Sequence, residues 1–138
     1  MSDSNPRRND LRAHVLKGKE TRRKVIRFEG EKVVLVSPTL KERAEIQAAG
    51  VRIEAGGTVS LKEVARRVTA MTLMAWVPGE DGKPTERLFD AADREVLLGM
   101  PSVPGNVVDV VGGAAVDFFD ELANEQEEND QENWAKNG

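Results

Sequence analysis

Lys24-Val25-Ile26-Arg27-Phe28-Glu29-Gly30-Glu31-Lys32-Val33-Val34-Leu35-Val36 decides how this chain is built. Two runs rich in β-branched residues, 24–28 and 32–36, flank Glu29-Gly30-Glu31. A short connection containing Gly between such runs reads as a β-hairpin. The second run is continuously apolar from Val33 to Val36, so it is expected to pair centrally or to be packed on both faces. An isolated two-stranded hairpin is marginal in water. This one must lean on a helix or on another chain.

The helices follow from caps and periodicity. After Ser37-Pro38, Thr39 and Glu42 form a capping box, in which each side chain satisfies the other residue's backbone N–H. This predicts a helix over Leu40–Ala49 ended by Gly50, with a thin apolar face of Leu40, Ala44, Ile46 and Ala48. Val51-Arg52-Ile53-Glu54-Ala55 alternates like a short edge strand, which Gly56-Gly57 stops. Ser60 and Glu63 form a second capping box. In the helix that begins there, Leu61, Val64, Ala65, Val68, Met71, Thr72, Ala75 and Trp76 share an arc of roughly 140°. This helix is expected to organise the core, with Leu73 and Met74 covered as well.

Pro78-Gly79-Glu80-Asp81-Gly82-Lys83-Pro84 is turn chemistry. Asp90 with Asp93 opens a short helix over Ala91–Leu98, closed by Gly99. Met100–Gly105 reads as a rigid linker. Asn106 caps a last helix with Val107, Val108, Val110, Val111, Ala114, Ala115, Phe118, Phe119 and Leu122 on its apolar half. Gly112-Gly113 inside it either kinks the helix or lets another backbone approach. On the N-terminal side, Asn9-Asp10 caps a short helix with Leu11, Val15 and Leu16 on one side and Gly18 beyond its end.

The chain has 138 residues and a net charge of −4, which conceals a gradient. Residues 1–24 carry eight basic side chains against three acids, a net +5. Residues 117–138 carry eight acids against Lys136, a net −7. The stretch 124–133 has no apolar residue and cannot offset its ordering entropy by burial, so it reads as disordered or as an exposed helical extension. Trp134 interrupts it. The expected fold is mainly α in the α+β sense. Four to five short helices and a small N-terminal β-hairpin form one domain with a disordered acidic C-terminal tail. Its parts are a flexible basic leader (1–10), the domain proper (11–122) and the polar tail (123–138).

Composition narrows the function. The chain has no Cys and a single histidine, His14, which leaves no cysteine or histidine cluster for a metal. No apolar run approaches the roughly 20 residues of a bilayer span. The polar start lacks the apolar segment of a secretory signal. The expectation is a soluble intracellular protein with no cofactor and no catalytic residues. Ala55-Gly56-Gly57-Thr58 lacks the Lys-Ser/Thr of a phosphate loop, and Glu80-Asp81-Gly82 lacks the spaced ligands of a calcium loop.

Two binding classes remain. Arg7, Arg8, Arg12, Arg22, Arg23 and Lys24 could neutralise phosphates of a nucleic acid. No aromatics are interleaved to stack bases, and the acidic tail would compete. Alternatively, Val34, Val36, Val107, Val111, Phe118, Phe119 and Leu122 could present apolar surface to a protein partner.

The order of elements resembles the tail assembly chaperones of long-tailed bacteriophages. The resemblance spans residues 11–122. It is carried by Arg22–Phe28 with Gly30 and Val33–Val36, by Ser37–Ile46 with its Glu42-Arg43, by the Ala75–Pro84 turn with Asp81-Gly82-Lys83-Pro84, and by Leu88-Phe89-Asp90 with Asp93 and Leu97. It implies a non-structural morphogenesis protein of the bacterial host cytoplasm, absent from the mature virion. Such a protein binds the long, apolar tape measure protein, keeps it soluble and helps tail tube protein polymerise around it. The family often makes a longer product by ribosomal frameshifting, and its members self-associate. A small phage head–tail connector or structural protein is the other reading from that context.

Overall fold

The computed structural model describes residues 5–51 and 59–137. Helix α1 (Pro6–Leu16) leads into strands β1 (Arg23–Phe28) and β2 (Glu31–Val36). Helices α2 (Leu40–Val51) and α3 (Val59–Met74) follow, then strands β3 (Ala75–Pro78) and β4 (Pro84–Arg87). The chain continues through α4 (Asp93–Leu98) and a π-helical turn (Val108–Gly112) into α5 (Gly113–Asn137). The described residues thus form a mainly helical α+β domain around one antiparallel sheet of order β1-β2-β3-β4.

The expected hairpin forms, one residue longer at the outer end of β1 and at the start of β2. Its connection is Glu29-Gly30, with φ of 49° and 85°. Two consecutive left-handed residues give the turn whose twist matches the flanking strands. Gly takes that conformation without strain, and Glu29 is held in it by the ladder on either side. β2 lies inside the sheet, and Val33, Val34, Leu35 and Val36 are all buried.

The partner of β2 on its other side corrects the helical reading of Ala75 and Trp76. These residues form β3, with Leu35 opposite Ala75 and Val34 opposite Trp76. Apolar spacing alone continues the helix through them. Without β3, the far edge of β2 would leave buried backbone groups unpaired, and that cost outweighs the local period. β4 was not apparent in the sequence; it pairs Arg87 with Trp76 and Glu86 with Val77. The Arg87 guanidinium stacks on the Trp76 ring, 4.8 Å from its centre, donates to the Leu73 carbonyl at 2.6 Å and pairs with Glu42 at 2.8 Å.

Helix α3 is the hub and touches α2, α4, α5 and the π turn. Val68, Met71 and Met74 are fully buried and pack with Leu35, Ile46, Leu97, Val111, Ala115, Phe118 and Phe119. Thr72 lies within this arc without an unpaired hydroxyl. It donates to the Val68 carbonyl at 2.9 Å and accepts from Arg94 Nε of α4 at 3.1 Å.

The first capping box forms as expected: Thr39 N–H donates to Glu42 at 2.9 Å and Glu42 N–H to Thr39 Oγ1 at 3.1 Å. α2 nevertheless continues through Gly50 to Val51. α1 begins earlier than Asn9-Asp10 suggested. Asn5 Oδ1 accepts from the N–H groups of Arg7 and Arg8, and Pro6 occupies a position where its missing N–H costs nothing. α4 starts at Asp93, whose carboxylate accepts from Asp90 N–H. Of the two readings of the C-terminal tail, the backbone takes the helical one, because α5 runs to Asn137. No Gly or Pro follows Gly113 within it, and Glu, Gln and Ala are good helix formers. The expected strand after Val51, the Gly56-Gly57 stop, and the side chains of Ser60, Leu61 and Trp134 lie outside the described residues.

Candidate interaction surfaces

Strand alternation and helix spacing together place the charged ends of the chain in contact. On β1, Ile26 and Phe28 pack against the core, so Lys24, two residues back, shares their face. On α5, Glu121 and Glu125 are one helical turn apart. Lys24 pairs with Glu121 at 3.3 Å, and Arg22 pairs with Glu125. Arg43 of α2 donates to Gln126 at 2.7 Å. Arg22 also extends the β1–β2 ladder: its N–H donates to Ser37 Oγ at 2.9 Å, and its carbonyl accepts from Ser37 N–H at 2.8 Å. The first acidic turns of the tail are therefore held against the hairpin.

Beside this ionic seam lies an apolar groove of about 210 Å³, floored by Pro38, Leu40, Phe119, Leu122 and Ala123. Leu40 is 77% exposed at the start of α2. Phe119 is almost fully buried, with the Arg66 guanidinium 5.6 Å from its ring centre, and Arg66 is tied to Asp120 at 2.6 Å. A second apolar cavity, of about 360 Å³, opens among Phe28, Trp76, Pro78, Leu88, Val107 and Val111.

Most of the apolar residues expected to meet a partner belong to this chain's own core. Val34, Val36, Val111, Phe118 and Phe119 are buried, and Val107 and Leu122 pack against them half-buried. For Val34 the reason is the sheet, since β3 pairs with β2 opposite it, whereas Val111, Phe118 and Phe119 are buried where the π turn and α5 meet α3. What remains reachable is the rim that Leu122 gives the groove and that Val107 gives the cavity.

The basic set divides. Arg7, Arg8 and Arg12 stand on α1, none of whose residues is buried. Arg22 and Lys24 are engaged by α5 carboxylates, and Arg23 borders a shallow polar hollow with Lys83 and Pro84. Sequence reasoning missed how many large apolar residues stay exposed after β4. Val96, Leu98, Met100 and Val103 are 40–61% exposed. Val96 and Leu98 fall in the expected helix Ala91–Leu98, and Met100 and Val103 in the expected linker Met100–Gly105.

In the β3–β4 turn, Lys83 N–H donates to Asp81 Oδ1 at 3.0 Å, and this bond holds the Asp81 carboxyl below its ordinary pKa. Among the described residues, no three His, Cys, Asp or Glu side chains converge on a metal-sized site, and no helix is long and apolar enough to cross a membrane.

No protein-family profile matches the sequence, and no curated protein matches it. Among solved structures the chain is similar to the bacteriophage HK97 tail assembly chaperone, with a TM-score of 0.49 and 19% identity over 80% of this chain and 96% of that one.

Proposed function

We propose that this chain is a phage tail assembly chaperone, a binding protein and not an enzyme, acting in the host cell outside the finished virion. The observation that carries the reading is the order of its junction motifs. Each motif lies at a boundary the fold depends on. Thr39 and Glu42 start α2, Asp81-Gly82-Lys83-Pro84 turns β3 into β4, and Asp90 with Asp93 starts α4. Its partners on this reading are the tape measure protein, the tail tube protein and a longer frameshifted form of itself, and the chain self-associates. The groove beside α5 and the exposed Val96, Leu98, Met100 and Val103 are apolar surface on offer.

Co-expression with the neighbouring tape measure protein tests this. Its soluble yield should rise and the two should co-purify. Unchanged yield with no co-purification overturns the reading. The nucleic-acid alternative predicts a salt-steep shift of a probe that is lost when Arg7, Arg8 and Arg12 are neutralised, and a flat titration at low salt ends it.

A further inference from the structure

The two edges of the sheet are built differently. β4 has four residues, begins at Pro84 and meets β3 with a register shift at Val77 and Pro78. Short length, proline and irregular pairing are the usual protections of an edge strand. β1 has six residues, no proline and a regular register with β2.

The two-residue turn decides which backbone groups β1 leaves over. Phe28 and Glu31 flank that turn as a hydrogen-bonded pair, and alternation gives the same role to Ile26 with Val33 and Lys24 with Leu35. Arg22 continues the series, since its carbonyl accepts from Ser37 N–H at 2.8 Å. The N–H and C=O groups of Arg23, Val25 and Arg27 therefore point away from β2. No backbone group among the described residues pairs with them. Their side chains share the face opposite to that of Ile26 and Phe28. Val25 is 49% exposed, and neither arginine forms an ion pair among the described residues. On the other face, Lys24 is already held by Glu121.

We infer that the outer edge of β1 takes up one extended segment of a protein partner, with acidic side chains four residues apart. Main-chain bonds to Arg23, Val25 and Arg27 supply the pairing. Carboxylates opposite Arg23 and Arg27, with an apolar residue between them opposite Val25, fix the register. The residues between these face Lys24 and Ile26 and are uncharged, because Glu121 already meets Lys24. Residues 1–24, which run into this edge, are net +5 and draw an acidic chain toward it. The same charges exclude a second copy. Antiparallel β1 pairing centred on Val25 uses all three outward residues and sets Arg23 opposite Arg27 twice, and like charges directly opposite are destabilising. None of the three outward residues lines the groove beside α5, so the inference stands apart from the tape-measure reading, which soluble yield measures.

The probe is a blocked peptide, Thr-Glu-Thr-Val-Thr-Glu-Thr, set against the same peptide with lysine in place of both glutamates. Each is added to the full chain up to about 1 mM, so that weak binding is read, while the backbone amide resonances are followed. With the glutamate peptide, the amides of Arg23, Val25 and Arg27 should shift and exchange more slowly. The lysine peptide should bind about tenfold more weakly. Arg23→Glu combined with Arg27→Glu should invert that preference. Val25→Pro removes an N–H that β2 does not use, so the sheet should form and peptide binding should be lost. Should Val25→Pro fail to fold, the charge-reversed double variant decides alone.

Unchanged amides at Arg23, Val25 and Arg27 overturn the inference. Equal binding of the two peptides does so as well, as does a folded Val25→Pro chain that still binds. Exchange at Val25 that slows with protein concentration and no peptide would give the edge to a second copy. A DNA oligonucleotide that shifts the same amides and is not displaced by the glutamate peptide would give the arginines to phosphate. Either result also overturns it.

Discussion

The helices at the two ends of the chain, α1 and α5, come from similar-looking sequence and do opposite things. Each belongs to a block of like charge, and each has apolar residues at helical spacing. α1 has no buried residue, whereas Ala115, Phe118 and Phe119 of α5 are core. The difference lies in how much apolar surface each can bury. α5 brings two Phe on one face beside Ala115 and Leu122, against α3 and the π turn. α1 brings only Leu11, Val15 and Leu16, with Arg12 set among them on the same face. Charge blocks therefore do not foretell which end of a chain is structural; the density of the apolar stripe does.

The widest test of that contrast is truncation. Phe119→Ala removes a nearly buried ring and should cost about 3–5 kcal/mol of stability. Leu11→Ala, on a helix that buries nothing, should stay within about 0.5 kcal/mol of the parent. Urea unfolding of both variants reads the difference. Equal costs would mean that α1 packs on the body in solution.

The glycine pair at the head of α5 sharpens the comparison at finer scale. A Cβ at Gly112 would lie 2.9 Å from Arg67 Cβ and 3.3 Å from the Arg67 carbonyl of α3, whereas at Gly113 it would meet nothing within 4 Å. The sequence allowed either a kink or a close approach. The structure shows a π turn ending at the glycine that touches α3. Gly112→Ala should destabilise by about 1–3 kcal/mol through overpacking. Gly113→Ala should stabilise by about 0.5–1 kcal/mol through the helical preference of Ala. Thermal melts of the two variants should move in opposite directions.

The start of the hairpin, not α1, touches α5, through Arg22–Glu125 and Lys24–Glu121. These pairs are largely exposed, and such pairs contribute about 0–1 kcal/mol each. Arg22→Ala with Lys24→Ala should therefore lower global stability only slightly. Amide exchange along residues 124–128 should quicken more, because that stretch has no apolar residue to hold it. If exchange there is unchanged, the helix stands on its own propensity.

Much of this was readable in the residues. Thr39 with Glu42, the apolar Val33–Val36 run and the Asp90 to Asp93 spacing are local signals, and local chemistry decided those elements. β3 was not readable, because Ala75 and Trp76 satisfy the helical period and only the open edge of β2 overrules it. β4 carries Thr85, Glu86 and Arg87, and no apolar alternation marks it as a strand. The groove was half visible. Phe119 and Leu122 read as partner surface, whereas Leu40 reads only as part of the thin apolar face of α2, and it becomes a groove wall where α2 meets α5. Surfaces made by two elements distant in sequence have no local signature.

The smallest effect concerns α1 alone. Asn5 accepts from two backbone N–H groups at 3.0 and 3.3 Å, and removing such a cap costs a helix about 0.5–2 kcal/mol. An eleven-residue helix with no buried face has little reserve against that loss, since isolated helices under roughly 12–15 residues are marginal in water. Asn5→Ala should therefore abolish slowed amide exchange across residues 6–16 while leaving the melting temperature of the domain unchanged. A fall in that temperature would show that α1 contributes to the core after all, and the contrast between the two ends would lose its physical basis.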